Sequence, residues 1–553
     1  MDLAKNEPMK LTNLWGKHAA VRLSLLVIPA FLCSAPAAGF LHTQGENIVD
    51  EQGQKVVLRG VGLGNWMLPE GYMWRFGESG DRPRRIEKIV SDLIGPEHAE
   101  KFWREYRNEY VTENDLRRLA QLGFNSVRPS LDARLFLSEG ENGVFQSEGF
   151  ELLDNLIRWC RRNGVYVIID MHAAPGGQTG QNIDDSANDQ PELFMNPANQ
   201  DRLVALWAKL ATRYHDDPTV AAYDLLNEPL PERTGAAAKY KHELEPLYKR
   251  LTQAIRAVDP KHMITVEGAN WANDWSVFSM PFDRNLVYQF HYYCWANPTR
   301  LNDITPFLDR RKQFGAPVWV GETGERDDAI YWATTDYFEA NNVGWSFWPW
   351  KKMNTRNTPY SIKPPQNWDA VMAYSERSGA PKPSSDEAQK AFDELLQNIR
   401  LENCEFYPDV VNAIFRRVPG KVEAENYGHE GLNASYLVRP DTANATYYRT
   451  SEPVPVELVE PSGQAIRLHA GEWTAYAVNS LAAQTYALTV KAKAESAPAV
   501  FQISVNGRSQ ELAVHDQDWV EIKLNPVGFL AGANQVKLSA KSGSVGVDWM
   551  DFR

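Results

Sequence analysis

The chain is poor in cysteine, with four in 553 residues. None lies in a Cys-x-x-Cys pair or at a spacing from histidine typical of a metal centre. Cys33 follows bulky residues, which makes a poor lipobox and argues against a lipoprotein. Only Cys160, Cys294 and Cys404 come later, so at most one disulfide can form among them and one thiol is left over. The fold therefore does not depend on disulfide bonds, and buried, inert cysteine is the better interpretation.

Other absences narrow the class of protein. The sequence has no Gly-x-Gly-x-x-Gly turn, which argues against an open dinucleotide-binding sheet. Acidic residues outnumber basic ones, 71 to 58, for a net charge of −13, so we expect no nucleic-acid partner. The apolar run at residues 23–32 is too short for a membrane span, which needs about 20 residues.

The N-terminal region has the layout of a secretory signal peptide. Lys10, Lys17 and Arg22 precede the apolar run, and small residues follow it up to Ala38. This order is typical of a cleaved signal rather than of a membrane anchor. We expect removal of residues 1–38 and secretion to the extracellular or periplasmic space, with no membrane contact afterwards.

Short β-rich runs alternate with longer amphipathic stretches from residue 56 onward, the pattern of repeated βα units. The eight runs are Val56–Val61, Phe124–Arg128, Tyr166–Met171, Ala221–Leu226, Met263–Glu267, Leu286–Tyr292, Pro317–Gly321 and Val343–Trp348. The stretches between them carry apolar residues at helical spacing. Eight strands with intervening helices over about 300 residues predict an α/β fold, a (β/α)8 TIM barrel. We assign it to a catalytic domain of residues 41–380.

The character of the sequence changes beyond the barrel. Prolines interrupt residues 381–420, where a helix is expected around Glu387–Arg400, so this segment is interpreted as a helical linker. From residue 421 to residue 553, short alternating strands predict a β-sandwich of jelly-roll type. These strands are Ala475–Val478, Tyr486–Lys491, Phe501–Val505, Val520–Leu524 and Gln535–Leu538.

Several predicted strands end in side chains with catalytic potential, and in a barrel such ends share one face. They are Arg128 on the second strand, Asp170 and His172 on the third, Asn227 and Glu228 on the fourth, His291 and Tyr293 on the sixth, Glu322 on the seventh and Trp348 on the eighth. Asn-Glu-Pro at 227–229 would be weak evidence alone. The whole series, in order on successive strands, is specific.

This series resembles glycoside hydrolase family 5, the cellulase-type retaining glycosidases, over residues 41–375. The family pattern of Arg, His, Asn-Glu, His-x-Tyr, Glu and Trp is present without a gap. Gly64–Glu70, Ile169–Gln178 and Phe347–Lys351 are most similar to the exo-β-1,3-glucanase branch. The resemblance implies Glu228 as acid/base, Glu322 as nucleophile, and substrate-binding roles for Arg128, His172, Asn227, His291, Tyr293, Trp348 and Glu70.

Physical chemistry supports the assignment of the two glutamates. Retaining hydrolysis needs two carboxyl groups about 5 Å apart, one protonated and one ionised. The fourth and seventh strands lie nearly opposite each other in a narrow barrel, so Glu228 and Glu322 can converge. We expect Arg128 and Tyr293 to keep Glu322 ionised and to lower its pKa, while Glu228 holds a proton. Asn227 would bind the sugar 2-hydroxyl, and the two histidines would orient the sugar and the acid.

Other conspicuous side chains have plainer interpretations. Carboxylates at loop positions are usually solvated, and this is expected of Glu232, Glu267 and Glu325. Trp348 is the favoured sugar platform. Three further tryptophans are equally consistent with platforms and with the core, namely Trp66, Trp295 and Trp350.

We therefore expect a retaining β-glycosidase that acts on β-glucan polysaccharides or oligosaccharides without a catalytic cofactor. β-1,3 against β-1,4 linkage, exo against endo cleavage and oligomeric state stay open. The alternatives are a non-catalytic glycan binder on a barrel scaffold and a β-mannan-directed hydrolase; retention of both glutamates argues against the binder. A metal-dependent hydrolase, suggested by the spacing of Asp170 and His172, lacks the further ligands on later strands.

The C-terminal residues resemble carbohydrate-binding modules of families 6 and 35 at Val422–Tyr427, Glu472–Tyr476 and Val547–Phe552. The resemblance implies a structural calcium held by Glu423, Glu425 and Asp548, since a hard cation prefers carboxylate oxygens. Trp519 is the candidate sugar platform. Gly546 stands where those modules often place a sugar-binding asparagine, so a stabilising role for this domain is a competing hypothesis.

Overall fold

The structure is a computed structural model. It describes residues 39–140, 143–232, 235–294, 304–376, 379–439, 448–460 and 463–553. The predicted signal peptide, residues 1–38, and Trp295 lie outside the described residues. Among the helices that are described, none is both long enough and apolar enough to cross a membrane.

Eight parallel strands form a closed barrel. They are β3 (Arg59–Leu63), β4 (Ser126–Asp132), β5 (Tyr166–Ala173), β6 (Val220–Asp224), β7 (Met263–Glu267), β8 (Leu286–Tyr292), β9 (Val318–Gly324) and β10 (Gly344–Trp348). Their order around the ring is β10-β3-β4-β5-β6-β7-β8-β9. A two-stranded hairpin, β1 (His42–Gln44) and β2 (Asn47–Val49), precedes them. Each strand overlaps the run predicted for it, and the expected TIM barrel is confirmed.

Helices connect the barrel strands and continue beyond them. They are α1 (Pro83–Ile94), α2 (Pro96–Tyr110), α3 (Glu113–Leu122), α4 (Ser147–Asn163), α5 (Glu192–Met195), α6 (Pro197–Tyr214), α7 (Ala236–Arg256), α8 (Thr305–Phe314), α9 (Asp328–Ala340), α10 (Trp368–Ser375), α11 (Ser385–Asn398) and α12 (Pro408–Ile414). α11 overlaps the range predicted for the linker helix, Glu387–Arg400. A small sheet of β11 (Lys351–Met353), β12 (Tyr360–Ile362) and β13 (Glu405–Phe406) packs beside them.

The barrel strands are buried on both faces, as parallel strands covered by helices must be. In β4 every residue is buried. Successive side chains point to opposite faces, so Val127 joins the apolar core shared with the helices, whereas Arg128 bonds to residues of other strands inside the barrel. Strand parity therefore decides which polar residues enter the site. Cys160, Cys294 and Cys404 are not joined to one another by disulfide bonds.

The C-terminal region is an antiparallel β-sheet domain with its own apolar core. Its strands are β14 (Arg417–Val418), β15 (Gly420–Glu423), β16 (Tyr436–Leu437), β17 (Val456–Val459), β18 (Gly463–His469), β19 (Trp473–Ser480), β20 (Gln484–Val505), β21 (Arg508–Val514), β22 (Val520–Phe529) and β23 (Gly532–Phe552). Among the described strands of this domain, β14 alone pairs in parallel, with β19. Tyr486–Lys491 and Phe501–Val505, predicted as two strands, are the two ends of β20, because the residues between them continue the pairing with β23.

Helix α9 joins the barrel to this domain. Its Trp332, 3% exposed, belongs to the apolar core of the β-sheet domain. On the same helix, Asp336 and Glu339 lie 3.2 and 2.8 Å from the guanidinium of Arg416, which precedes β14. The two cores therefore meet at one barrel helix through both apolar and ionic contacts.

This contact predicts that Trp332→Ala weakens the docking of the β-sheet domain. Loss of a buried tryptophan side chain typically costs about 3–5 kcal/mol. Since a chain with two cores need not unfold in one step, the measurement is the first transition in urea, together with release of a C-terminal fragment by protease. The control is Leu458→Ala in β17, where the leucine is 63% exposed. Equal midpoints and equal protease resistance for both variants would contradict the assignment.

Candidate active site

A pocket of about 710 Å³ opens at the carboxyl ends of the barrel strands. It brings together seven of the nine residues predicted for catalysis and substrate binding: Glu70, His172, Glu228, His291, Tyr293, Glu322 and Trp348. The other two, Arg128 and Asn227, are fully buried beneath it and bond to each other from guanidinium to amide oxygen at 2.8 Å. The structure therefore places all nine in one region.

Arg128 is the centre of the buried polar network. Its guanidinium lies close to four carboxylates from four strands: Asp170 at 3.1 Å, Asp224 at 2.8 Å, Glu267 at 3.1 Å and Glu322 at 2.7 Å. Burial alone would lower the pKa of Arg128, but these carboxylates raise it well above its usual value. One permanent cation thus holds the ends of β5, β6, β7 and β9 together.

The two predicted catalytic carboxylates converge. Oxygen atoms of Glu228 and Glu322 and a ring nitrogen of His291 lie within 4.8 Å of one another. Glu228 has φ 42°, a left-handed conformation that is uncommon for a residue with a Cβ. Its backbone N–H donates to Glu267 Oε2 at 2.6 Å. The loop after β6 is therefore held by the network below it.

His291 links the carboxylates. Its Nδ1 lies 2.7 Å from Glu228 Oε1 and 3.6 Å from Glu322 Oε2, and its Nε2 lies 3.2 Å from Glu267 Oε1. Burial would lower the pKa of His291, but Glu267, Glu322 and Glu228 together raise it well above its ordinary value. A register shift between β8 and β9 pairs His291 with Glu322. Three neighbouring acids therefore favour the protonated form of this imidazole.

Glu322 accepts two hydrogen bonds, from Arg128 Nη1 at 2.7 Å and from the Tyr293 hydroxyl at 2.7 Å. The expected donors are thus in place. The expected lowering of its pKa was wrong: burial raises the pKa of Glu322 above its ordinary value, and Glu228 adds to this, although His291 and Arg128 oppose it. The desolvation of a fully buried carboxylate outweighs its donors here.

Glu267, expected to be solvated, is fully buried. It accepts hydrogen bonds from Arg128, from Gln289 and from the backbone of Glu228. Burial would raise the pKa of Glu267, but His291, Arg128 and the Glu228 N–H lower it. Its position as the last residue of β7 is the signal that could have revealed it, as for Asp224 at the end of β6.

The other two glutamates expected to be solvated differ from each other. Glu232 is exposed, as expected. Glu325 instead lines the pocket and pairs with Lys352 at 2.7 Å. Glu70 is buried in the pocket wall, and its Oε1 has no hydrogen-bond partner among the described residues. Burial, with the charges of Glu322 and Glu325, raises the pKa of Glu70 well above its ordinary value.

His172 and Trp348 form a stacked pair, with ring centroids 5.3 Å apart and planes at 3°. Burial lowers the pKa of His172 to about 4, so the ring is neutral. Its Nδ1 lies 2.7 Å from Asp170 and its Nε2 lies 3.2 Å from the amide nitrogen of Asn227. Donation from Nδ1 to Asp170 leaves Nε2 as the acceptor for Asn227.

The position of Trp348 depends on space left by β3 and the residue after it. A Cβ at Gly62 would run into the Trp348 ring, and one at Gly64 would lie 2.6 Å from it. The indole N–H donates to the Tyr72 hydroxyl at 2.9 Å. In contrast, Trp66 and Trp350 are each 1% exposed and lie in the core, not in the pocket.

The three residues predicted to bind calcium line one cavity of about 330 Å³. Burial and the Asp548 charge raise the pKa of Glu423 to about 7, and Oε2 of the buried Glu425 makes no hydrogen bond to a residue that the structure describes. Lys491 already pairs with Asp548 at 2.7 Å. The carboxylate oxygens of Glu423, Glu425 and Asp548 do not all lie within 4.8 Å of one another. Among the described residues, only Glu228, His291 and Glu322 meet that spacing. Asp327, from the barrel, lines the same cavity. The carboxylates fit a cation by charge, and it would touch both domains.

Trp519, the predicted platform, is half-buried in the β-sheet domain. The ammonium group of Lys493 lies 4.9 Å from the centroid of its ring. A Cβ at Gly546 would lie 3.1 Å from Trp519 and 3.0 Å from Lys493. The glycine at this position is therefore explained by the tryptophan packed against it.

Comparison with known proteins places the barrel in a family. Residues 90–354 match the cellulase family, glycosyl hydrolase family 5. The beta-xylosidase of Phanerodontia chrysosporium is 28% identical over 426 residues, 68% of this chain and 87% of that protein. The probable glucan 1,3-beta-glucosidase A of Aspergillus clavatus is 26% identical over 326 residues, 57% of this chain and 74% of that protein.

Among solved structures, the beta-glucanase of Saccharophagus degradans in complex with cellotetraose has a TM-score of 0.39 and 18% identity, over 65% of this chain and 94% of that one. The family match covers the connected series of strand ends from Arg128 to Trp348 and stops before the β-sheet domain. With that match over residues 90–354 and the buried carboxylate pair within them, the barrel is a glycoside hydrolase family 5 domain.

Proposed function

We propose that the enzyme is a retaining β-glycosidase that hydrolyses O-glycosidic bonds of β-glucan polysaccharides or oligosaccharides by double displacement. The spacing of the catalytic carboxylates carries this proposal. Oxygens of Glu228 and Glu322 lie within 4.8 Å, which suits direct attack by one of them, whereas inverting enzymes separate the pair by about 6.5–9.5 Å to admit water.

Glu322 is assigned as the nucleophile. It attacks the anomeric carbon, the bond from that carbon to the leaving oxygen breaks, and a glycosyl ester forms. Arg128 and Tyr293 fix its two oxygens, so the attacking geometry exists before substrate binds. Because burial disfavours the charged carboxylate, forming the neutral ester is favoured at this position.

Glu228 is assigned as the acid/base. A proton on the 2.7 Å bond between His291 Nδ1 and Glu228 Oε1 can be carried by Glu228 to the leaving oxygen. Glu228 is then an anion beside the imidazole, ready to take a proton from the water that cleaves the ester. Glu267 keeps the imidazole oriented from its other nitrogen.

The glycone is proposed to lie against Trp348, whose ring offers an apolar face to the sugar. Asn227 uses one amide hydrogen on His172 and has a second for the sugar 2-hydroxyl. Oε1 of Glu70, which has no partner in the described part of the chain, is an acceptor for another hydroxyl. The contacts from Trp348, Asn227 and Glu70 would together recognise one terminal sugar residue.

The substrate proposal draws on relatives named glucan 1,3-beta-glucosidase and endoglucanase. The relative named beta-xylosidase makes a β-xyloside the second candidate. A product profile on laminarin, carboxymethylcellulose, mannan and xylo-oligosaccharides distinguishes them. Release of monosaccharide alone indicates exo cleavage, and early oligosaccharides indicate endo cleavage.

The first prediction from this mechanism is that Glu322→Gln abolishes turnover, by at least about a thousandfold, since an amide cannot form the glycosyl ester. The measurement is hydrolysis of an aryl β-glucoside, with the initial product anomer followed by NMR in the unmodified enzyme. The control is Glu232→Gln, on an exposed glutamate. Undiminished activity of Glu322→Gln, or an α product at first turnover, would overturn the mechanism.

The second prediction concerns the leaving group. Glu228→Ala should slow oligosaccharides far more than 2,4-dinitrophenyl β-glucoside, which needs little protonation. Azide should then accelerate release of the ester as β-glycosyl azide. Equal losses on both substrates, with no azide product, would assign the acid to another residue.

The proposal extends to a structural calcium held by Glu423, Glu425 and Asp548. Binding to the folded state alone adds about 2.7 kcal/mol at 100 times the Kd, so chelation should lower the melting temperature of the full chain. Glu425→Gln should abolish this calcium-dependent shift. A melting temperature unaffected by chelator and calcium in the unmodified chain would rule out the ion.

Export is likewise proposed, with cleavage after Ala38. The check is N-terminal sequencing of protein recovered from the medium or periplasm. A mature chain that still contains residues 1–38 would contradict it.

A further inference from the structure

The two sides of the catalytic pocket differ in chemistry. Strand β3 lies diametrically opposite β7 in the eight-stranded ring, and β10 lies opposite β6. Glu70 and Tyr72 follow β3, and Trp348 ends β10, so they form the glycone wall. Glu228 follows β6 on the other side. Since the acid protonates the leaving oxygen, the leaving group must lie on the side of β6 and its neighbours.

Apolar side chains form this second wall, here called the leaving-group wall. It consists of Ile183 after β5, Trp271 after β7 and Phe307 in α8, all half-buried and all lining the pocket. Of the described lining residues after β5, β7 and β8, none is charged, and Asn182 and Asn273 add amides. Against the side chains of Ile183 and Phe307 themselves, a hydroxyl would lose water without gaining a partner, whereas an alkyl chain would bury apolar surface.

The wall is held in place by strained backbone. Asn270, Trp271 and Ala272 have φ of 52°, 60° and 70°, three consecutive left-handed residues that are not glycine. Such strain persists only where surrounding contacts fix it. Here the Asn270 N–H donates to Leu230 O at 3.1 Å, and its side-chain oxygen accepts from the Glu232 N–H at 3.1 Å. Trp271 is thereby tied to the loop that carries Glu228.

The other two residues of the leaving-group wall, Phe307 and Ile183, are also held in place. Phe307 stacks on Phe290 with centroids 4.2 Å apart and planes at 9°. The loop with Ile183 is closed around the buried carboxylate of Asp184, which accepts from Thr179 and Ser186. A rigid apolar wall binds an apolar group without an ordering cost.

We propose that the leaving-group wall takes an apolar aglycone, an alkyl or arylalkyl alcohol, so that the enzyme hydrolyses hydrophobic β-glycosides in addition to the glucan substrates of the proposed function. This rests on the proposed retaining mechanism. Glu322 displaces the alcohol, which leaves with the proton of Glu228, and water then releases the sugar. The products are one free sugar and one free alcohol.

The experiment compares kcat/KM for methyl, butyl and hexyl β-D-glucopyranoside, below micelle-forming concentrations, with 2-phenylethyl β-D-glucopyranoside, cellobiose and laminaribiose. The alkyl leaving groups are chemically alike, so a rise with length reports apolar contact. One fully buried methylene corresponds to about fourfold. We expect hexyl to exceed methyl at least tenfold and to exceed both disaccharides; the phenylethyl compound distinguishes aryl from alkyl preference.

Variants locate the effect. Ile183→Asn and, separately, Trp271→Gln should bring the hexyl-to-methyl ratio close to one. Met280→Asn is the matched control, since this 56% exposed residue lies in the same β7–β8 connection but outside the pocket lining, and its ratio should be unchanged. Because the two wall variants are made separately, the test still stands if one of them fails to fold.

The outcomes separate the two proposals. A flat alkyl series in the unmodified enzyme, or disaccharides cleaved faster than the hexyl glucoside, overturns the apolar site while leaving the glycosidase mechanism intact. An unchanged ratio in both wall variants overturns the location. Failure to hydrolyse any glucoside or xyloside, including an aryl one with an activated leaving group, overturns the proposed function itself.

Discussion

The fully buried guanidinium of Arg128 is the interaction on which the rest of the site depends. Its four carboxylate neighbours come from strands far apart in sequence, and buried acids so close together would repel one another without it. Burying such a set is costly, so it is retained at a place where position matters more than stability. Through Glu267 it fixes the backbone of Glu228, and directly it fixes the carboxylate of Glu322. The acid and the nucleophile are thus both positioned by the same cation.

A short connection relates this network to the second domain. Strand β9, which carries Glu322, ends at Gly324, and α9 begins at Asp328. Glu325 in the connection lines the catalytic pocket, while Asp327 lines the cavity shared with the β-sheet domain. Trp332 then enters the core of that domain. The placement of the nucleophile strand and the docking of the β-sheet domain are therefore parts of one continuous segment.

The barrel was predictable because its strands are short, β-rich and separated by helical periodicity. The site residues were predictable because ordered polar endings on successive strands leave few alternatives. Glu267 was missed although it ends a predicted strand, since a carboxylate there is normally solvated and only strand parity inside a closed barrel turns it inward. The raised pKa of Glu322 depends on the depth of burial, which the sequence does not show. From the sequence, Trp66 and Trp350 are consistent with sugar platforms, because the sequence does not show the loops that bury them. The left-handed backbone at Asn270–Ala272 was not predictable either, because none of these residues is a glycine.

The empty space beside Trp348 has a consequence for how this enzyme can change. Gly62 and Gly64 do not line the catalytic pocket and have no side chain, yet any larger residue there would displace the tryptophan ring. In a mutational scan they should tolerate as little variation as the catalytic acids, for a steric reason and not a chemical one. Variants selected for a new sugar would then be expected to alter position 348 and these two glycines jointly, since a smaller ring is what makes room for a Cβ.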